Sequence, residues 1–447
     1  MRVQGIGANH TLAASRMGRE RSIQSGLFRV VRPVRCRLCA DSADVAARPP
    51  PDWREARRTG DGGMTSETEK ARAFLWELQA QVARATGLEH LAENSDWKER
   101  LLETGRQMPD VPEDVLQRAV ELGTTPQEHW PPCGPDEPLW GYSMIHSLAD
   151  RLEKSFPPDS FTRPALGMLA TGEINAVTLL APDSQAHLVV FENELFNFAN
   201  LFSKAVALAM PYEGSAAEGV AFSVDTDQVR RHLRDSPEAV HRFRDVVLAY
   251  LLHGRPSRAR PYIPSQIVRV MGAILRDGME LFVLGHEYGH VMEEHVADRR
   301  TPRRMLGTED ADVTEVAWMW EQEGVADLIG WNLCLMAMSE RFGPSLPHAG
   351  VELFFSACEV LERAVLLLMT GGDDPRPGPS THPPTGLRRH IVREHAKQQL
   401  GEDAAPLLQL GAAIQEIVDV LWEQTAPVIT ELHRQGAVPD ARWTANR

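Results

Sequence analysis

Within Phe282–His295, FVLGHEYGHVMEEH, two histidines stand four residues apart with a glutamate directly after the first: His286, Glu287, Tyr288, Gly289, His290. On an α-helix, positions four apart lie one turn above each other on the same face, so both imidazoles can reach one metal ion. Glu287 projects beside them, within reach of a water molecule at such an ion. Two nitrogen ligands and an adjacent general base are what metal-assisted hydrolysis requires. Phe282, Val283, His286, Gly289 and His290 share one stripe, so the pair faces the core rather than solvent, where imidazoles without partners are costly. The plainer alternative is a helix whose histidines are satisfied by ordinary hydrogen bonds.

A catalytic metal needs a third protein ligand. His295 is nearest but lies five residues past His290, about 140° round a continuing helix. The extended pattern HExxHxxGxxH would need glycine at Glu293 and histidine at Val296. His295 therefore reads as a surface residue. The stretch EQEGVADLIGWNLCLMAM, Glu321–Met338, is the better source. From Gly324 onward it is apolar on nearly every side, which predicts burial, yet Glu323 and Asp327 stand on one face a turn apart. Buried carboxylates need a cation or donors. A metal for Glu323 and the N–H of a ligand imidazole for Asp327 would satisfy both; a structural ion pair with arginine is the competing reading.

HExxH followed by ExxAD (Glu323, Ala326, Asp327) resembles the gluzincin metallopeptidases of the HtpX, Oma and CAAX-prenyl-protease type. STHPPTGLRR, Ser380–Arg389, is similar to their HPxxxxR segment, with His382 and Arg388 six apart. A looser likeness joins Asn175-Ala176 and the hairpin ending LVVFENELF to the family's edge strand above the cleft. The resemblance spans Glu173–Val392 and implies a zincin-like core holding one Zn²⁺ through His286, His290 and Glu323. Glu287 would be the general base for a zinc-activated water, and Asp327 would fix a ligand tautomer. His382 or Arg388 would face the developing oxyanion. The implied activity is that of a soluble zinc endopeptidase acting on a protein or peptide. The alternatives are a Lit-like or regulator-specific intracellular peptidase with one protein target, and a non-catalytic zinc-stabilised binding module. Membrane helices or a secretion signal are usual in the family; neither is visible here. The hairpin and His286 are also farther apart than in the family, which implies an inserted helical region over about 203–277.

The elements that must position these residues are mostly helical. Helical periodicity runs from Met64 to about Leu122, resumes near Tyr142–Lys154 after the proline-rich connector TPQEHWPPCGPDEP, and dominates after Leu195. Two short strands, Asn175–Leu180 and His187–Phe191, flank the turn APDSQ, and His187–Phe191 is the strand expected to pair with an extended peptide. The histidine helix is expected over Gly278–Ala297, followed by helices at Val313–Arg341 and Gly350–Met369 and two more at the C-terminus. The expected class is therefore α+β, predominantly helical. Residues 64–165 form an N-terminal helical region and 166–447 the catalytic part. Residues 1–63 stand apart, with twelve arginines, no lysine and six acids; they read as a disordered basic leader or as sequence preceding a true start at Met64.

The whole chain carries a formal charge of −15, which disfavours nucleic acid and anionic lipid as partners. No uninterrupted apolar run reaches the ~20 residues of a bilayer span. Five cysteines are too few and too scattered for a disulfide framework, and CRLC at Cys36–Cys39 has no second pair to complete a metal site. Cys334 and Cys358 lie in apolar helical runs and read as buried thiols. A reducing, cytoplasmic setting is the expectation. Nothing in the sequence fixes an oligomeric state.

Overall fold

The computed structural model describes residues 2–3, 64–86, 96–106, 112–122, 125–154, 156, 161–170, 174–182, 184–213, 220–223, 225–295, 313–372 and 383–440. The CRLC motif, His382 and nearly all of the basic N-terminal stretch lie outside them. Of that stretch, only Arg2–Val3 (β1) is described, pairing antiparallel with Val220–Phe222.

Four helices precede the sheet: α1 (Met64–Thr86), α2 (Asp96–Arg106), α3 (Glu113–Leu122) and α4 (Leu139–Glu153). The strands β2 (Ala165–Leu169), β3 (Ala176–Leu180) and β4 (His187–Glu192) form a mixed sheet in the order β2-β4-β3. The β3/β4 hairpin is antiparallel, with Thr178 opposite Val189, as the alternation around APDSQ predicts. β2 is an addition that the sequence reading lacks, and it lies parallel to β4. Its presence moves β4 to the centre of the sheet. His187–Phe191 is therefore not an open edge, and the expectation that it receives a peptide is overturned. Both its neighbours' ladders already occupy its backbone groups. β3 is the edge on the side of the histidine helix, and its half-buried pattern, with only Thr178 buried, suits an edge strand.

Beyond the sheet run α5 (Asn193–Ala209), β5 (Tyr212–Glu213), β6 (Val220–Phe222), α6 (Thr226–Asp235) and α7 (Glu238–His253). Next come α8 (Gln266–Met292), α9 (Val313–Phe342), α10 (Ser345–Thr370), α11 (Thr385–Leu400) and α12 (Ala404–Arg434). Local signals set several ends. Asp225 caps α6 by accepting from the Gln228 N–H at 2.9 Å. Gly254 and Gly371 close α7 and α10 in the left-handed conformation. The chain is thus predominantly helical with a small mixed sheet. Phe202, Phe243, Leu275 and Phe282 belong to one continuous buried core. A smaller apolar cluster, including Leu75, Leu169, Leu188 and Val190, holds α1 against the sheet.

The segment Thr385–Arg434 contains an 18-residue helical window that passes, by length and composition, as apolar enough to cross a membrane. Polar residues interrupt it, which is why no continuous apolar run marks it in the sequence. The window is 56 % buried, and α12 packs chiefly along α10 with Leu407, Ile414, Leu421 and Trp422 turned inward.

A buried ionic cluster ties α10 to α11. Glu352, 1 % exposed, accepts from Arg393 at 2.7 and 2.8 Å, with His348 Nε2 and Arg389 Nε each 3.3 Å away. Burial pushes the Glu352 carboxyl up, but the His348 and Arg393 hydrogen bonds and charges outweigh it and hold the group at about 2. A carboxyl depressed on folding stabilises the native state fully above its ordinary 4.5 and loses that contribution as pH falls through about 2. The contribution at neutral pH is about 3 kcal/mol. Urea unfolding between neutral and acid pH is expected to show this loss, and the Glu352→Gln variant to have a flatter profile. Identical slopes for the two proteins would contradict it.

Candidate metal centre

The two helices that carry the polar motifs approach to backbone contact. A Cβ on Gly330 would lie 2.7 Å from the His286 backbone N, and one on Gly289 would lie 2.8 Å from the Ala326 Cα. Only residues without side chains permit this, and the approach sets Glu323 and Asp327 of α9 beside His286 and His290 of α8. Asp327, His286 and Glu323 are buried, at 0 %, 8 % and 9 % exposed, as is Glu287 at 6 %, and His290 is half-buried.

His286 Nε2 and His290 Nε2 are 3.2 Å apart. The Glu323 carboxylate lies 3.6 Å from each, through Oε2 and Oε1 respectively. A tetrahedral ion with bonds of about 2.0–2.1 Å spaces its ligands about 3.3 Å apart. The three donors therefore have both the chemistry and the spacing to hold a metal ion. Each imidazole turns its other nitrogen elsewhere. His286 Nδ1–H donates to Asp327 Oδ1 at 2.9 Å, which leaves the Nε2 lone pair bare. His290 Nδ1 lies 2.9 Å from His295 Nδ1. Burial, with His286 alongside, pushes His290 down to about 3, so this imidazole is neutral at pH 7. His286 behaves differently. Burial opposes its charge, but the Asp327 hydrogen bond and the nearby carboxylates outweigh burial and raise its pKa.

The two readings of Asp327 turn out not to be exclusive. It accepts from His286 and also pairs bidentately with Arg388, whose Nε and Nη2 donate to Oδ2 and Oδ1 at 2.7 and 2.6 Å. Arg388 Nη2 is also 3.8 Å from Glu323 Oε2. Two of the guanidinium nitrogens are thus committed to Asp327, behind His286. Of the two residues expected at a developing oxyanion, Arg388 sits here and His382 lies outside the described residues.

Two neighbours were missed in the sequence. Thr178 of β3 lies 2.7 Å from Glu287 Oε2 and 3.1 Å from the Glu287 carbonyl oxygen. Its single hydroxyl proton favours the shorter, charge-assisted contact. The available signal was a hydroxyl on the inward face of AVTLL, a strand otherwise apolar. The second neighbour is His295. The expectation of a helix through Ala297 placed it on the far face, but α8 ends at Met292, and Glu294 adopts φ 53°. That reversal folds His295 back so that its N–H meets the His290 carbonyl at 3.1 Å and its ring meets the His290 ring. His295 is a contact of His290 rather than a surface residue.

No family model matches the chain, and neither a curated protein nor a solved structure matches it.

Proposed function

We propose that this chain is a zinc-dependent metalloendopeptidase with a gluzincin-type core, hydrolysing peptide bonds in a protein or peptide. The observation that carries the proposal is the meeting of His286 Nε2, His290 Nε2 and the Glu323 carboxylate within 3.2–3.6 Å of one another, with Glu287 next in chain to the first ligand. Two nitrogens and one carboxylate suit zinc among the common divalent ions. When bound, zinc would act as a Lewis acid and bring the pKa of water from 15.7 toward about 7.

The chain's own residues then have distinct tasks. Glu287, buried and held by the Thr178 hydroxyl, accepts a proton from the attacking water and returns it to the leaving amine. Asp327 fixes the His286 tautomer, and Arg388 offsets the buried charge of Asp327. The β3 edge, whose Thr178 touches Glu287, is the segment able to align an extended substrate by strand addition.

The test is metal analysis of purified protein. One equivalent of zinc is expected in the wild-type chain, falling well below that in His286→Ala and His290→Ala, and chelation is expected to abolish hydrolysis. A wild-type preparation that takes up no divalent ion when dialysed against zinc would overturn the proposal. Thr178 gives a finer check. Thr178→Val removes a hydrogen bond to a charged group, typically about 1.5–3 kcal/mol, so kcat is expected to fall about 10- to 100-fold with KM little changed. Thr178→Ser should restore most of it. Loss of KM and kcat together, without rescue by serine, would mean that Thr178 matters only for packing.

A further inference from the structure

A cavity of about 150 Å³ lies between α1, the proline-rich connector, α4 and β2, lined in part by Arg72, Trp76, Glu137, Tyr142, His146 and Arg163. None of these residues belongs to the metal-ligand cluster. His146 is 1 % exposed, yet neither of its ring nitrogens has a hydrogen-bond partner among the described residues. Its ring stacks on Trp130 at 5.5 Å and tilts against Tyr142 at 4.5 Å, contacts that fix the ring without satisfying the nitrogens. Buried polar groups nearly always have partners, and leaving one without costs about 1–3 kcal/mol. An imidazole held in this way on a cavity wall points to a guest that supplies the missing bond.

The charges on the wall indicate which guest. Arg163 is committed to Asp150 and Glu153, each at 2.6 Å. Arg72, on α1, makes no ion pair or hydrogen bond with any described residue, and both guanidinium groups act on His146 electrostatically. The single acid on the wall, Glu137, accepts from the Met168 N–H at 2.8 Å, and burial pushes it up to about 7, which weakens its repulsion of an anion. Apart from Thr68, the remaining wall is aromatic and aliphatic. A void of this size takes one benzene-sized ring.

We propose that this cavity binds a small organic carboxylate with a flat apolar body. Its carboxylate pairs with Arg72 and accepts the His146 N–H, and its body lies against Trp76 and Tyr142. The site is independent of the metal centre and of the peptidase reading.

The test is calorimetric titration of the full chain, metal-free and zinc-loaded, with benzoate and with its neutral counterpart benzyl alcohol. Benzoate is expected to bind with Kd about 1 mM or tighter in both forms. Benzyl alcohol should bind at least ~10-fold more weakly, and Arg72→Gln should weaken benzoate by ~10-fold or more while leaving benzyl alcohol unchanged. Nitrogen-15 NMR of the His146 ring gives a measure that needs no variant: benzoate shifts the ring signals at concentrations where benzyl alcohol leaves them unchanged. No benzoate binding up to ~10 mM, equal affinity for both probes, or ring signals indifferent to benzoate would each overturn the proposal.

Discussion

Glu287→Gln is expected to keep its zinc and lose hydrolysis by about 10²–10⁴-fold, the range a positioned general base contributes. Glutamine occupies the same volume in a site where Glu287 is only 6 % exposed, and its amide oxygen can still accept from Thr178 Oγ1. Folding and the donor triangle should therefore be undisturbed, because Glu287 is not one of the three converging groups. What disappears is the capacity to accept a proton. Metal content and melting temperature measured beside turnover separate this outcome from simple damage. With the substrate unidentified, the practical readout compares new peptide termini in cells producing wild type and Glu287→Gln. Full turnover in a metal-loaded Glu287→Gln preparation would remove Glu287 from the chemistry altogether.

Arg388→Leu is expected to destabilise the metal-free chain by about 3–5 kcal/mol, the usual consequence of removing one partner from a buried ion pair. Asp327 is fully buried and takes two of its three short hydrogen bonds from Arg388. Burial drives its carboxyl upward, and the Arg388 charge and hydrogen bonds, with a smaller part from His286, more than compensate, leaving it below its ordinary value. In the wild type this contribution is complete above the ordinary carboxylate range and fades only as pH drops through the depressed value. Arg388→Leu forfeits it at neutral pH. The double variant Arg388→Leu/Asp327→Asn should recover part of the loss, since it no longer buries a lone charge. Urea denaturation of the four proteins of this cycle measures the coupling, and a coupling near zero would mean that the bidentate contact contributes nothing to stability.

The donor cluster was legible because helical periodicity does the geometric work. His286 and His290 lie one turn apart, and Glu323 and Asp327 repeat the spacing on a helix whose apolar surroundings announce burial. The sheet was half legible. Alternation marked β3 and β4, but β2 reaches β4 through a parallel pairing that leaves no local trace, and without it the central strand looked like an edge. Two further misses have separate causes. A left-handed residue at Glu294, which is not glycine, ends α8 early and redirects His295. The contact of Thr178 with Glu287 joins residues 109 positions apart. Pairing of that kind depends on tertiary packing, to which neither periodicity nor spacing is sensitive.

The near-touching backbones at Gly330 and Gly289 carry a consequence for how this site can change over time. Its accuracy is stored in two missing methyl groups rather than in the ligands themselves. A substitution there would change none of the donor residues and still push their two helices apart, spreading the donors past bonding distance. Keeping the donor spacing would therefore constrain positions outside the donor set itself. A lineage that kept both histidines and both acids but enlarged either glycine would hold the donors without their convergence.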